Sequence, residues 1–219
     1  MSDHLARAKL FGIFMPPSSA SDVAFSPAVK AVQLRKGSRQ MLADADASAE
    51  GAWPTRIRED LAEFIASMTS VYFATASSDG QPHVQHRGGP AGFLKVLDDE
   101  TIAWADFAGN RQYVSIGNLS ENPKACLFLM DYATRQRVKL FGEARVVEDD
   151  PELLKQLTPQ GYRARPEQAV VFKVKAWNAN CSQHIPQRFE LADVVRVIAE
   201  KDRRIAELEA ELEALTAGA

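Results

Sequence analysis

The sequence predicts a mainly β protein, an antiparallel barrel with helices at its flanks. Three observations predict it. Short runs rich in β-branched and aromatic residues recur between Val71 and Trp177, each bounded by turn residues. Their connections read as tight turns, Asp79-Gly80 first and the acidic Asp98-Asp99-Glu100 next. Helical periodicity between the strands is scarce, which argues against a parallel α/β sheet.

Taken in order, residues 1–24 hold the Pro16-Pro17-Ser18-Ser19-Ala20-Ser21 stretch, turn and loop composition that reads as an extended arm or as a poorly ordered piece. Ser26 is placed to cap a helix with Pro27 at its first position, Gly37 interrupts that helix, and Met41-Leu42 belong to a second short one. Residues 43–51 are small and acidic and read as a linker. A helix is expected from Thr55 to Met68, with Ile57, Leu61, Phe64, Ile65 and Met68 on one buried face. Strands are expected over 71–77, 83–87, 93–97, 101–107, 125–130, 136–147 and 169–177, with helices over 111–119 and 151–157. Pro90 and its neighbouring glycines make 88–92 a bulge or bend. From Glu190 the composition turns to Glu, Ala, Arg and Lys, with Leu191, Val194 or Val195, Ile198, Ile205, Leu208, Leu212 and Leu215 at coiled-coil spacing and Lys201 breaking the seam once. The chain thus divides into an N-terminal extension (1–52), a main domain (53–189) and a C-terminal amphipathic helix (190–219).

The bulk numbers exclude several classes. Lys and Arg number 26 against 29 acids, a net charge of −3, which gives no electrostatic case for nucleic acid or membrane binding. No apolar run approaches the ~18 residues that read as a membrane-spanning helix. The first residues lack the apolar core of a secretory signal, so a cytoplasmic protein with reduced Cys126 and Cys181 is expected.

Two features look chemical on their own. Arg111, flanked by Asn110 and Gln112, falls in the first turn of an expected helix, where free N–H groups and the dipole favour an anion. Arg87 is followed by Gly88 and Gly89, so backbone can lie close to a flat ligand. Each also has a plain reading, a solvated first turn and a surface arginine before a loop. Metal binding is not expected, since His83 and His86 face opposite sides of a strand and have no acidic or Cys partner at ligand spacing. No Gly-x-Gly-x-x-Gly run marks a dinucleotide fold, and no local Ser-His-Asp signature appears.

Residues of about 55–189 resemble the FMN-binding split-barrel family that includes pyridoxamine 5'-phosphate oxidase. The resemblance rests on His86-Arg87-Gly88-Gly89-Pro90, Phe93-Leu94-Lys95, Asp106-Phe107-Ala108-Gly109-Asn110-Arg111-Gln112, Asn118 to Pro123, and Arg137-Val138-Lys139-Leu140-Phe141-Gly142. Trp177-Asn178 and Cys181-Ser182-Gln183-His184-Ile185-Pro186 make the match closest to a subgroup of oxidase-related proteins.

The resemblance implies a six-stranded Greek-key split barrel, with FMN in a cleft between the two subunits of a homodimer. It implies that Asn110, Arg111 and Gln112 hold the phosphate, and that the strand with His86, Arg87, Gly88 and Gly89 lines the flavin ring. Lys95 matches a lysine near the cofactor, but the Gly89-to-Gly92 insertion lengthens its spacing from Arg87. Asp106 falls near the phosphate or ribityl chain, as a partner of Arg111 or of a ribityl hydroxyl. Arg137 aligns at the pyrimidine edge, where positive charge would stabilise reduced flavin. Trp177 and Asn178 follow the last strand, where Trp177 covers the cofactor or packs in the core. Gln183 lies in the next loop with His184, which reads as a proton donor or as a structural histidine. The implied activity is an FMN-dependent oxidoreductase passing hydride or electrons from a donor such as NAD(P)H to a small acceptor. The alternatives are a non-catalytic carrier of flavin or a related cofactor, or a scaffold that has lost it.

Overall fold

The computed structural model describes residues 19–180 and 182–217. Two compact units appear: one formed by the described residues up to 129 and by 138–179, the other by 130–137 and the described residues from 180 on. The expected arm falls largely on residues 1–18, outside the described residues.

In the first unit, α1 (Pro27–Lys36) starts as its sequence dictates. The Ser26 side chain accepts from the Val29 N–H, Pro27 takes the first turn, and Gly37 closes the helix at φ 79°. Helix α2 (Arg39–Ala47) runs further than expected and takes in half of the expected linker. Helix α3 (Glu59–Ser67) begins four residues after Thr55, with Arg58 as its cap and Glu59 and Asp60 in its first turn. Carboxylates there meet the positive end of the helix. Its Leu61 and Ile65 are buried as the periodicity requires.

The strands are β1 (Ser70–Ala76), β2 (Pro82–Gly88), β3 (Lys95–Asp98), β4 (Thr101–Phe107), β5 (Lys124–Asp131), β6 (Gln136–Val147) and β7 (Pro166–Asn180). They form one seven-stranded sheet in the order β2-β1-β5-β6-β7-β4-β3. The sequence marked all seven, one more than the six-stranded barrel that the resemblance implies. Strand β1 pairs antiparallel with both neighbours, from Ser70↔Gly88 through Ala76↔Pro82 with β2 and at Tyr72↔Phe128 with β5. Strand β7 begins three residues earlier and ends three later than expected, so Trp177 and Asn178 lie within it.

Side chains alternate across β1: Val71, Phe73 and Thr75 are buried while Tyr72 is exposed. Phe73 meets Trp104 edge-on at 5.2 Å in the main core, which also takes Ile65, Ile102, Leu127, Leu140 and Phe172. Strand β4 is buried on both faces. Ile102 and Trp104 point into the main core, while Ala103 and Ala105 form a second cluster with Ala169 and Leu157 of α5 (Pro151–Leu157). The small alanines let that helix approach closely. Gly142 serves a similar purpose in β6, since a Cβ there would run into the Lys173 carbonyl. In the second unit, α6 (Leu191–Ala217) is one helix of 27 residues, all of them exposed.

Candidate functional site

A small cleft opens where the ends of β2 and β4 meet the loop before α4 (Val114–Glu121). It is lined by Gln85 and Arg87 from β2, Asp106 and Phe107 from β4, Gly109, Asn110 and Arg111 from the loop, Tyr113, Ser115 and Ile116 beyond it, and Glu167 from β7. Asp106 continues the row of Ile102 and Trp104, so it sits at the end of the main core with only 8% of its side chain exposed. Arg87 Nη2 lies 3.0 Å from Asp106 Oδ1. The approach is an ion pair without an aligned hydrogen bond, because Arg87 Nε and Asp106 Oδ1 both have no hydrogen-bond partner. Gln168 sits directly across from Asp106 in β7 and donates from Nε2 to Oδ2 at 3.0 Å.

A register shift places Glu167 in the cleft. Asp106 pairs with Gln168 but Phe107 pairs with Pro166, so Glu167 is the extra residue of a bulge. Bulges re-aim side chains. Here the carboxylate meets Tyr113 Oη at 3.3 Å and Arg111 Nε at 4.0 Å.

The loop itself is strained. Arg111 and Tyr113 take φ 57° and 51°, left-handed values that cost a residue with a Cβ about 1–2 kcal/mol each. The Gln112 N–H donates to Asn110 Oδ1 at 3.2 Å, which tightens the turn between them. Helix α4 starts at Val114, three residues later than expected, because Tyr113 is left-handed. Arg111 therefore precedes the helix. No side chain caps that helix, so its first N–H groups stay available. Side-chain bonds hold α4 in place, among them Ser115 Oγ to Gln85, Asn118 Nδ2 to Thr75 Oγ1, Ser78 Oγ to Glu121, and Asn122 Nδ2, just past the helix, to the Ala76 carbonyl.

Of the residues picked out in the sequence, the cleft gathers Arg87, Asp106, Asn110 and Arg111. Gln112 takes part through the turn only. His86 alternates with Arg87 to the other face of β2, where its ring meets Tyr72 edge-on at 6.0 Å. The double glycine makes room for the protein's own atoms. A Cβ on Gly89 would strike Phe93, and one on Gly88 would crowd His86 and the Thr69 carbonyl. Lys95 lines a separate open depression with Asp150 and Lys155. Trp177 is a core residue, with Nε1 donating to the Arg56 carbonyl at 2.8 Å and the Arg58 guanidinium over its ring. Asn178 lies beside it in β7. Arg137, Gln183 and His184 belong to the second unit; Arg137 Nε is buried without a partner, and His184 is exposed at φ 63°. Glu167, Tyr113, Ser115 and Gln85 drew no attention in the sequence, and only the bulge and the loop geometry reveal them. Among the described residues no three His, Cys, Asp or Glu side chains gather to hold a metal, and no helix is long and apolar enough to cross a membrane.

The fold is an antiparallel split barrel with flanking helices. Residues 57–181 match the model of the pyridoxamine 5'-phosphate oxidase family, more than half of the chain, and the chain belongs to that family. Solved structures resemble it more distantly. HupZ of Group A Streptococcus is 18% identical over 61% of this chain and 99% of its own, with a TM-score of 0.46. A putative pyridoxamine 5'-phosphate oxidase from Lactobacillus delbrueckii is 23% identical over 57% of this chain and 95% of its own, at 0.44. An FMN-binding protein from Syntrophomonas wolfei is 15% identical over 70% and 95%, at 0.42. None of these is close enough to bear on what this chain binds. No curated protein matches it.

The phosphate end of FMN fits these residues. Arg111 has 62% of its side chain exposed and only a 4.0 Å contact to hold it, and it stands before an uncapped helix start. Arg87 Nε is a buried donor in want of an acceptor. The ring end does not fit in this cleft. The cleft holds about 30 Å³, room for roughly one water, against the ~300 Å³ or more of a small-ligand site.

Proposed function

We propose that this protein is an FMN-dependent oxidoreductase that works as a homodimer, with Arg111 as the phosphate anchor. The carrying observation is the exposed, weakly held guanidinium of Arg111 on a strained loop at the uncapped start of α4. An exposed ion pair at the edge of contact is worth about 0–1 kcal/mol. Arg111 can therefore leave Glu167 for a phosphate at small cost, and charge-assisted hydrogen bonds then hold the anion. Arg87 stays with Asp106 and presents its remaining donor to the bound group. FMN, when bound, carries two electrons between a reduced donor such as NAD(P)H and a small acceptor.

A second copy seated on the outer face of β2, which is an edge strand, would reach round it to supply the missing wall. The outward face of β1, β2 and β5 carries Tyr72, Phe128 and Val84, the last 61% exposed. An apolar sheet face of this kind fits burial against its own symmetry mate.

The test is flavin titration of wild type and Arg111→Ala. Losing the charged hydrogen bonds, worth about 1.5–3 kcal/mol, weakens FMN binding by roughly ten- to a hundredfold. The exposed side chain leaves thermal stability unchanged. Equal affinity in the two proteins removes Arg111 from the site. Bleaching of the bound flavin by NADH or NADPH and recovery in air support an oxidoreductase; flavin that neither reduces supports a carrier, and protein that takes up no FMN sinks both.

A further inference from the structure

We infer that α6 pairs with α6 of a second copy of this chain as a parallel two-stranded coiled coil. The inference stands apart from the flavin reading. The helix spans about 40 Å and is exposed along its whole length. A strict heptad runs through it. Leu191, Ile198, Ile205 and Leu212 fall at a, and Val194, Lys201, Leu208 and Leu215 at d. Isoleucine at a with leucine at d, as in Ile205 and Leu208, favours two parallel strands.

The flanking charges choose both the occupant and the direction. In a parallel pair each g residue meets the e residue five positions on in its partner. Arg204 then meets Glu209 of the second copy, Val197 meets Asp202, and Glu211 meets Thr216, with no like charges opposed. In the fully overlapped antiparallel pair, Arg204 would oppose Arg204 and Asp202 would oppose Asp202. Within one helix Arg204 already reaches Glu207 at 3.0 Å and Glu211 at 3.9 Å, so its cation is held on the flank of the seam. Lys201 is the cost. Two of them meet in the parallel pair, and their stems stay on the seam while the ammonium groups reach water.

Cysteine cross-linking of the full-length chain tests this. Leu208→Cys places two thiols face to face across the seam, whereas Ala210→Cys places them on the outer side; the unsubstituted chain, with Cys126 and Cys181, sets the blank. Under copper-phenanthroline oxidation Leu208→Cys should form a disulfide-linked dimer at least tenfold faster than Ala210→Cys. Equal rates overturn the proposal. Adding Arg204→Glu should slow the Leu208→Cys reaction by about two- to fivefold. Adding Glu209→Arg to that variant should restore the rate; no restoration overturns the parallel register. Mass and flavin content measured on the same samples separate this outcome from the fate of the flavin reading, since a flavin-bound dimer without the cross-link refutes only the coiled coil.

Discussion

Arg87 and Asp106 hold each other at 3.0 Å with little solvent around them, while Arg111 stands largely in water 4.0 Å from its nearest acid. The same guanidinium is thus a held structural cation at one position and a weakly held, solvent-facing one at the other. The sequence points to an anion at Arg111, but nothing in it shows that Arg87, 24 residues earlier, is paired with Asp106. Burial pushes the Cys126 thiol up to about 11 from 9.0, with Lys139 opposing the shift only in part. The thiolate is the reactive form. In a Cys181→Ser background, iodoacetamide at pH 8 should label native protein about a hundredfold more slowly than unfolded protein, from the two-unit difference. The raised value has a stability consequence of known sign. The thiol's contribution to stability is whole below about pH 9 and is lost as pH rises from 9 towards 11, because the unfolded thiol ionises first. Equal labelling rates would show that the thiol is not held in a buried setting.

Element by element, local signals did well where they were self-contained. Ser26-Pro27 and Asp150-Pro151 each start a helix where the cap chemistry says they should. The start of α4 falls later than the sequence predicts because φ at Tyr113 is a property of the loop's closure, and nothing in tyrosine announces it. The position of α4 depends on amides reaching a neighbouring strand. Thr75 is 4% exposed, so Asn118→Ala leaves its hydroxyl without that donor. The expected cost is about 1 kcal/mol of stability. If the proposed phosphate site is right, flavin binding weakens with it, since α4 then carries the start that holds the phosphate. A variant with lower thermal stability and unaltered FMN affinity would detach the helix anchor from the site.

At the scale of the whole molecule, an outward apolar sheet face and a cleft too small for a ring point to the same remedy, a second copy. Val84→Glu puts a charge on that face without touching the cleft or the core of the single chain. It should cost the protein its flavin although Arg111 is intact, even where α6 still holds two copies together. A Val84→Glu protein that binds FMN as wild type does would mean the cleft needs no second wall.

The strands, their number and most of their ends were legible because turn chemistry and side-chain alternation act over a few residues. The long C-terminal heptad was legible for the same reason. The candidate site was legible only as a set of residue types. That Asp106 would neutralise Arg87, that a bulge would bring Glu167 to Arg111, that the glycines would accommodate Phe93 and that Trp177 would close the core were decided by tertiary contacts. Those contacts join residues far apart in the chain, and their geometry depends on register and twist, which no local stretch of sequence contains.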